Sequence, residues 1–221
     1  MASDSPLVRF ASDFSKGDPK IIEKVRAYEA SPPTTMEEVG YYGAEDYDAP
    51  TRLWLATVSR LDDAGYLHSS EDKYTSERAQ LWEEAGLIER SKLSPASQIV
   101  FGTPTVDWAD DQAVKKYEAE FKANYAAATR EIEAQMAQRG LVLLSVDDAG
   151  GDTMQFAAVA PDIAARWKDK AFTTLDGEQL GVRAPDWARF WQHLTYSFNP
   201  DWDEPPPEGL APKAKNLPMA Q

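Results

Sequence analysis

Chemistry in this chain would have to come from few imidazoles, no thiols and many carboxylates. The two histidines are His68 and His193. His68 follows a predicted helix end, and His193 falls in an aromatic-rich helical segment. No Gly-x-Ser-x-Gly elbow is present to lift a serine nucleophile onto a strand-to-helix turn. A triad assembled from distant parts stays open on sequence grounds, but structural roles for both histidines are the preferred reading. Neither a Walker loop nor a dinucleotide fingerprint occurs, and the aspartates flanking Gly150-Gly151 would repel phosphate. Asp147, Asp148 and Asp152 crowd one predicted hairpin loop, and hard cations take carboxylate oxygens. Their spacing lacks the alternate ligands and distal Glu of an EF-hand, so a solvated Asp-Gly turn is preferred. No metal and no cofactor are expected. Carboxylate pairs suited to glycoside chemistry are always available in so acidic a chain and discriminate nothing.

Aromatic and acidic residues are interleaved in two places. Tyr41, Tyr42, Glu45, Asp46, Tyr47 and Asp48 lie in a predicted loop, and residues 36–50 hold five acids and no base. Asp201, Trp202, Asp203 and Glu204 follow Tyr196 and Phe198. Tyrosine and tryptophan dominate binding hot spots, while charges around them steer encounter. Core packing is the competing account for any one aromatic. It fits Tyr41 to Tyr47 less well, because the adjoining carboxylates must stay solvated. Tyr41, Tyr42, Glu45, Asp46, Tyr47, Asp48, Asp201, Trp202 and Asp203 are therefore the candidate partner-binding residues, with no catalytic set.

The rest of the composition agrees with a binding role. The 221 residues carry 37 acidic and 23 basic side chains, a formal charge of −14. Such a field opposes nucleic acid and anionic membrane, and favours basic proteins or cations. Absence of cysteine removes disulfides, zinc-thiolate sites, iron–sulfur clusters and thiol nucleophiles. Residues 1–14 lack a basic start followed by an apolar run, so they do not read as a secretory signal. No stretch approaches the roughly 18 apolar residues of a membrane span. A cytoplasmic bacterial protein is the expectation.

These residues need a scaffold. Asp18-Pro19 starts a helix with Ile21, Ile22, Val25 and Tyr28 on one face, stopped by Ser31-Pro32-Pro33. Residues 31–50 read as a loop. A helix from Pro50 carries Leu53, Trp54, Val58 and Leu61; another, at about 75–85, carries Ala79, Leu81 and Trp82. Both end on acidic-acidic-Ala-Gly-apolar-apolar, which reads as one capping solution used twice rather than a duplication. Residues 91–106 read as irregular, with a short strand at Ile99-Val100-Phe101. A long helix over 108–139, capped by Asp107, should bury Tyr117, Phe121 and Tyr125. Strands follow at 141–147 and 154–159, then a short helix after Pro161, then a hairpin about Asp176-Gly177. A last helix starts at Pro185, and the chain turns Pro-rich after Phe198. Helices before strands predict an α+β fold with one long central helix and a small antiparallel sheet. The expected organisation is a single domain over 1–198 and a tail over 199–221.

The string from Trp54 to Leu67 and the hairpin from Leu141 to Val159, with Gly150-Gly151-Asp152 at its tip, resemble bacterial toxin-immunity families, loosely the SUKH-type superfamily. That resemblance implies an acidic α+β protein that neutralises a toxin by direct binding; no functional residue is carried over from it. The expectation is thus a non-enzymatic immunity protein occluding a basic toxin domain. The alternatives are a carboxylate- or metal-dependent hydrolase, or an accessory or scaffold protein for another basic partner.

Overall fold

The computed structural model describes residues 4–71, 75–148, 153–188, 191, 205–207, 210 and 217–221. The fold is α+β, with helices and a five-stranded antiparallel sheet of order β1-β3-β2-β5-β4. The strands are β1 (His68–Glu71), β2 (Val142–Val146), β3 (Thr153–Val159), β4 (Lys170–Leu175) and β5 (Glu178–Arg183). The chain divides into two compact units: Met1–Ser69 with Leu143–Pro185 and Ala214–Gln221, and Ser70–Val142 with Asp186–Lys213.

The first unit begins with α1 (Pro6–Phe14), which the sequence reading did not anticipate. Ser5 caps it, accepting from Val8 N at 3.1 Å, and Pro6 presets its first turn. Its Phe10 and Phe14 join Trp54, Trp167 and Phe172 in one aromatic cluster; Trp54 and Phe172 stack at 4.5 Å. Helix α2 (Pro19–Ala30) forms as its Asp-Pro start and Ser-Pro-Pro stop require. The expected loop at 31–50 instead holds α3 (Met36–Val39), closed by a capping box between Thr35 and Glu38, and a 3-10 turn at Ala44–Asp46. Helix α4 (Ala49–Asp63) lies against β4, where the Thr51 and Thr173 hydroxyls meet at 3.1 Å. After α4, Gly65 adopts a positive φ and Tyr66 N bonds back to Leu61 O at 2.9 Å. Helix α8 (Pro161–Trp167) ties to α1 through the Asp13 carboxylate, which accepts from Trp167 Nε1 at 2.7 Å and Arg166 Nη1 at 2.6 Å.

Within the sheet, β4 pairs with β5 antiparallel, and β2 pairs with β5 through Ser145↔Arg183 and Val146↔Val182. Gly181 is required there: a Cβ would fall 2.0 Å from the Lys170 carbonyl oxygen. The last residues of the tail add to the β4 edge. Ala171 N donates to Pro218 O at 3.0 Å, Ala220 N donates to Ala171 O at 2.8 Å, and Leu217 is buried. Covering an edge in this way removes exposed backbone groups that could pair with another chain.

The second unit is built on α5 (Thr75–Glu84), α6 (Pro95–Phe101) and α7 (Asp111–Gln138). The second Ala-Gly stop repeats the first, with Leu87 N bonding to Trp82 O at 2.8 Å after a positive-φ Gly86. The expected strand at Ile99-Val100-Phe101 is corrected to helix. Ser94-Pro95 caps and starts α6, and Glu131 of α7 accepts from Ser94 N at 2.8 Å and Ser94 Oγ at 2.6 Å. Burial pushes the Glu131 carboxyl upward, but these serine hydrogen bonds outweigh it and hold it below the usual range. The cap of α7 is Asp110 rather than Asp107; Asp107 instead closes the turn before it, accepting from Ala109 N at 3.0 Å. Phe121 and Tyr125 are buried as the spacing requires, whereas Tyr117 is only half-buried. Trp82, Phe101, Trp187 and Trp191 complete this core. Residues 187, 188 and 191 of the expected last helix are helical; Phe190, His193 and Leu194 lie outside the described residues.

Candidate partner-binding surface

Two left-handed glycines shape residues 40–48. Gly40 (φ +82°) ends α3, and Gly43 (φ +72°) opens the 3-10 turn. A side chain on Gly40 would also strike Ser59 Oγ, 2.2 Å from the Cβ position. Between these turns the two adjacent tyrosines take opposite roles.

Tyr41 turns toward the sheet. Its hydroxyl accepts from Gln155 Nε2 at 3.4 Å and bonds to the Asp148 carboxylate. Burial first, and then the Asp148 charge, push the phenol far above its usual range, so it stays neutral. Tyr42 projects into solvent at 91% exposure. Glu45 and Asp46 are also exposed, on the 3-10 turn. Tyr47 is half-buried, and its carbonyl accepts from the Arg52 guanidinium, whose Nε donates to Pro33 O at 2.8 Å. Asp48 caps α4, accepting from Thr51 N at 2.9 Å; hydrogen bonds from the Thr51 side chain and backbone hold its carboxyl below the usual range. Of the six loop candidates, Tyr41 and Asp48 therefore do internal work, and Tyr42, Glu45 and Asp46 form the outward-facing group. Asp201, Trp202 and Asp203 lie outside the described residues.

The residues that could have supported catalysis are placed differently. His68 is half-buried on β1, where burial and then the Lys16 charge lower its imidazole below the usual range. Asp147 is nearly buried: its Oδ2 accepts from Arg183 Nε at 2.6 Å and Gly181 N at 3.1 Å, and its carbonyl accepts from Trp54 Nε1 at 2.8 Å. Gly150, Gly151 and Asp152 lie outside the described residues. Among the described residues no three His, Asp or Glu side chains converge as metal ligands.

Sequence reading missed two features. Trp108, 57% exposed, meets Tyr117 edge-on at 5.8 Å, and Tyr117 lines a cleft of about 490 Å³ with Ile99, Val106 and Glu120. An aromatic placed before the helical repeat begins was the available signal for Trp108. Gln155 meets the Tyr41 hydroxyl from a segment too far along the chain for any local pattern to show. Among the described residues no helix is long and apolar enough to cross a membrane. No family model matches the chain, and no match was found among curated proteins or solved structures.

Proposed function

We propose that this chain is a non-enzymatic binding protein that presents Tyr42, Glu45 and Asp46 to a basic protein, and that the partner is a toxin domain it neutralises. The observation that carries this reading is the exposure of Tyr42 on a loop whose neighbours are held in place. Tyr41, Asp48 and Arg52 anchor both sides of the exposed group. A presented aromatic on an ordered loop loses little conformational freedom on binding, and it suits the anchor role in a hot spot. The carboxylates beside it and the net charge of −14 supply attraction for a cationic surface.

The test is to co-purify the chain with the product of its neighbouring gene, and to follow binding of any basic toxin domain so captured by surface plasmon resonance. Tyr42→Ala should weaken affinity by about 30-fold, corresponding to roughly 2 kcal/mol. Glu45→Lys with Asp46→Lys should slow association by about 10-fold at low salt, the difference fading as salt rises. Affinity unchanged in both variants refutes the assignment.

A further inference from the structure

Residues 103–107 join α6 to α7 in neither helix nor strand. Pro104 fixes its own φ and biases Thr103 toward extended backbone. Thr103, Pro104 and Thr105 are exposed, and the N–H groups of Thr105 and Val106 donate to no backbone group among the described residues. The cleft of about 490 Å³ lies between this run, Ile99 of α6 and Tyr117 of α7. Tyr117 is held in place, because its hydroxyl donates to Ile99 O at 3.3 Å. Trp108 meets that ring edge-on at 5.8 Å and 80°, and is itself 57% exposed. Two carboxylates line the cleft, Asp107 and Glu120, against one ammonium, Lys116, which comes only within 3.9 Å of Glu120. Asp110 and Asp111 follow at the start of α7, both exposed. Fixed aromatics, idle backbone donors and an excess of negative charge therefore share one concave surface.

We propose that this cleft docks a partner's proline-rich peptide in the polyproline II conformation, with an arginine or lysine beside its prolines. A polyproline II segment makes no internal hydrogen bonds, so its carbonyls need outside donors. The N–H groups of Thr105 and Val106 and the indole of Trp108 supply them. Prolines pack on aromatic rings and, being already rigid, lose little conformational freedom on docking. The basic side chain answers the charge of Asp107 and Glu120. That charge selects against the chain's own proline-rich stretch, Glu204-Pro205-Pro206-Pro207-Glu208, whose prolines are flanked by acids. Every residue of the cleft belongs to the second unit, so the proposal does not depend on the assignment of Tyr42, Glu45 and Asp46.

The test is fluorescence anisotropy of the labelled peptide Arg-Pro-Leu-Pro-Pro-Leu-Pro titrated with the full chain. Saturable binding with a Kd of about 10⁻⁵–10⁻⁴ M is expected. The same peptide with Glu in place of Arg, and the peptide Glu-Pro-Pro-Pro-Glu, should each bind at least about 10-fold more weakly. Trp108→Ala should weaken binding of the first peptide at least about 10-fold. Asp107→Asn with Glu120→Gln should weaken it about fivefold and remove most of the preference for Arg over Glu. Circular dichroism checks folding; if the double variant disturbs the turn that Asp107 closes, Glu120→Gln alone reads the charge effect. Absence of binding up to about 1 mM chain overturns the proposal. So does binding that Trp108→Ala leaves unchanged, or equal binding of either acidic peptide, which would assign the cleft to a different occupant.

Discussion

Replacing Tyr41 and Tyr42 one at a time should separate stability from recognition within two consecutive residues. Tyr41→Phe keeps the ring and removes the hydroxyl that joins Gln155 and Asp148. Gln155, 5% exposed, then loses the partner of its Nε2, while its Oε1 already has none among the described residues. Leaving one buried polar group unpaired costs about 1–3 kcal/mol. The Gln155–Tyr41 separation of 3.4 Å is long for a hydrogen bond, which places the expected loss near 1–2 kcal/mol. For a chain of this size that lowers Tm by about 2–8 °C. Tyr42→Ala removes a side chain that is 91% exposed and should change stability by less than about 0.5 kcal/mol. Thermal and urea unfolding by circular dichroism, together with affinity for the basic partner, read both effects. Tyr41→Phe as stable as the parent, or Tyr42→Ala destabilised by more than about 1 kcal/mol, would refute the inward–outward division of this loop.

Asp147→Asn should destabilise the protein by about 3 kcal/mol, because it removes the carboxylate charge that Arg183 Nε meets at 2.6 Å in a nearly buried pair; adding Arg183→Met should recover part of the loss in urea unfolding. Phe121→Ala should cost about 3–5 kcal/mol through the cavity it leaves in the second unit, and Tyr117→Ala less, since that ring is half-buried. His68 is neutral-favoured in the folded chain, so the unfolded state binds more protons as pH falls. Its contribution is present above the unfolded pKa of about 6.5 and is lost as pH drops toward the lowered folded value. His68→Gln should therefore narrow the difference between Tm at pH 7.5 and at pH 5.5 by a measurable margin in calorimetry; an unchanged difference counts against the burial effect. Asp62 has the opposite sign. Its raised folded pKa stabilises the fold below about 3.8 and loses that contribution as pH rises, so Asp62→Asn should raise Tm at neutral pH, read by calorimetry.

Helix ends were the most legible part of the sequence. Asp18-Pro19, the two Ala-Gly stops and the Phe121–Tyr125 spacing act through neighbours within a few residues, where backbone sterics and periodicity carry the information. The α+β class followed from the order of elements. Errors arose where short apolar runs were ambiguous. Ile99-Val100-Phe101 has strand composition, but the Ser94 cap and its bond to Glu131, 37 residues later in the chain, make it helix. The loop candidates were found as a group because charge and aromatic content are local properties. Which tyrosine faces solvent depends on Gln155 and Asp148, more than a hundred residues away, and on two glycine turns whose handedness only the folded backbone displays. The sequence by itself determined the acidity, the boundaries of α2, α4 and α5, and the clustering of tyrosines with carboxylates. The tertiary structure alone decided that Tyr41 and Asp48 serve the fold, that Tyr42 is exposed, and that Gln155 meets the Tyr41 hydroxyl. A contact between distant segments depends on how whole elements pack, and no local spacing encodes it.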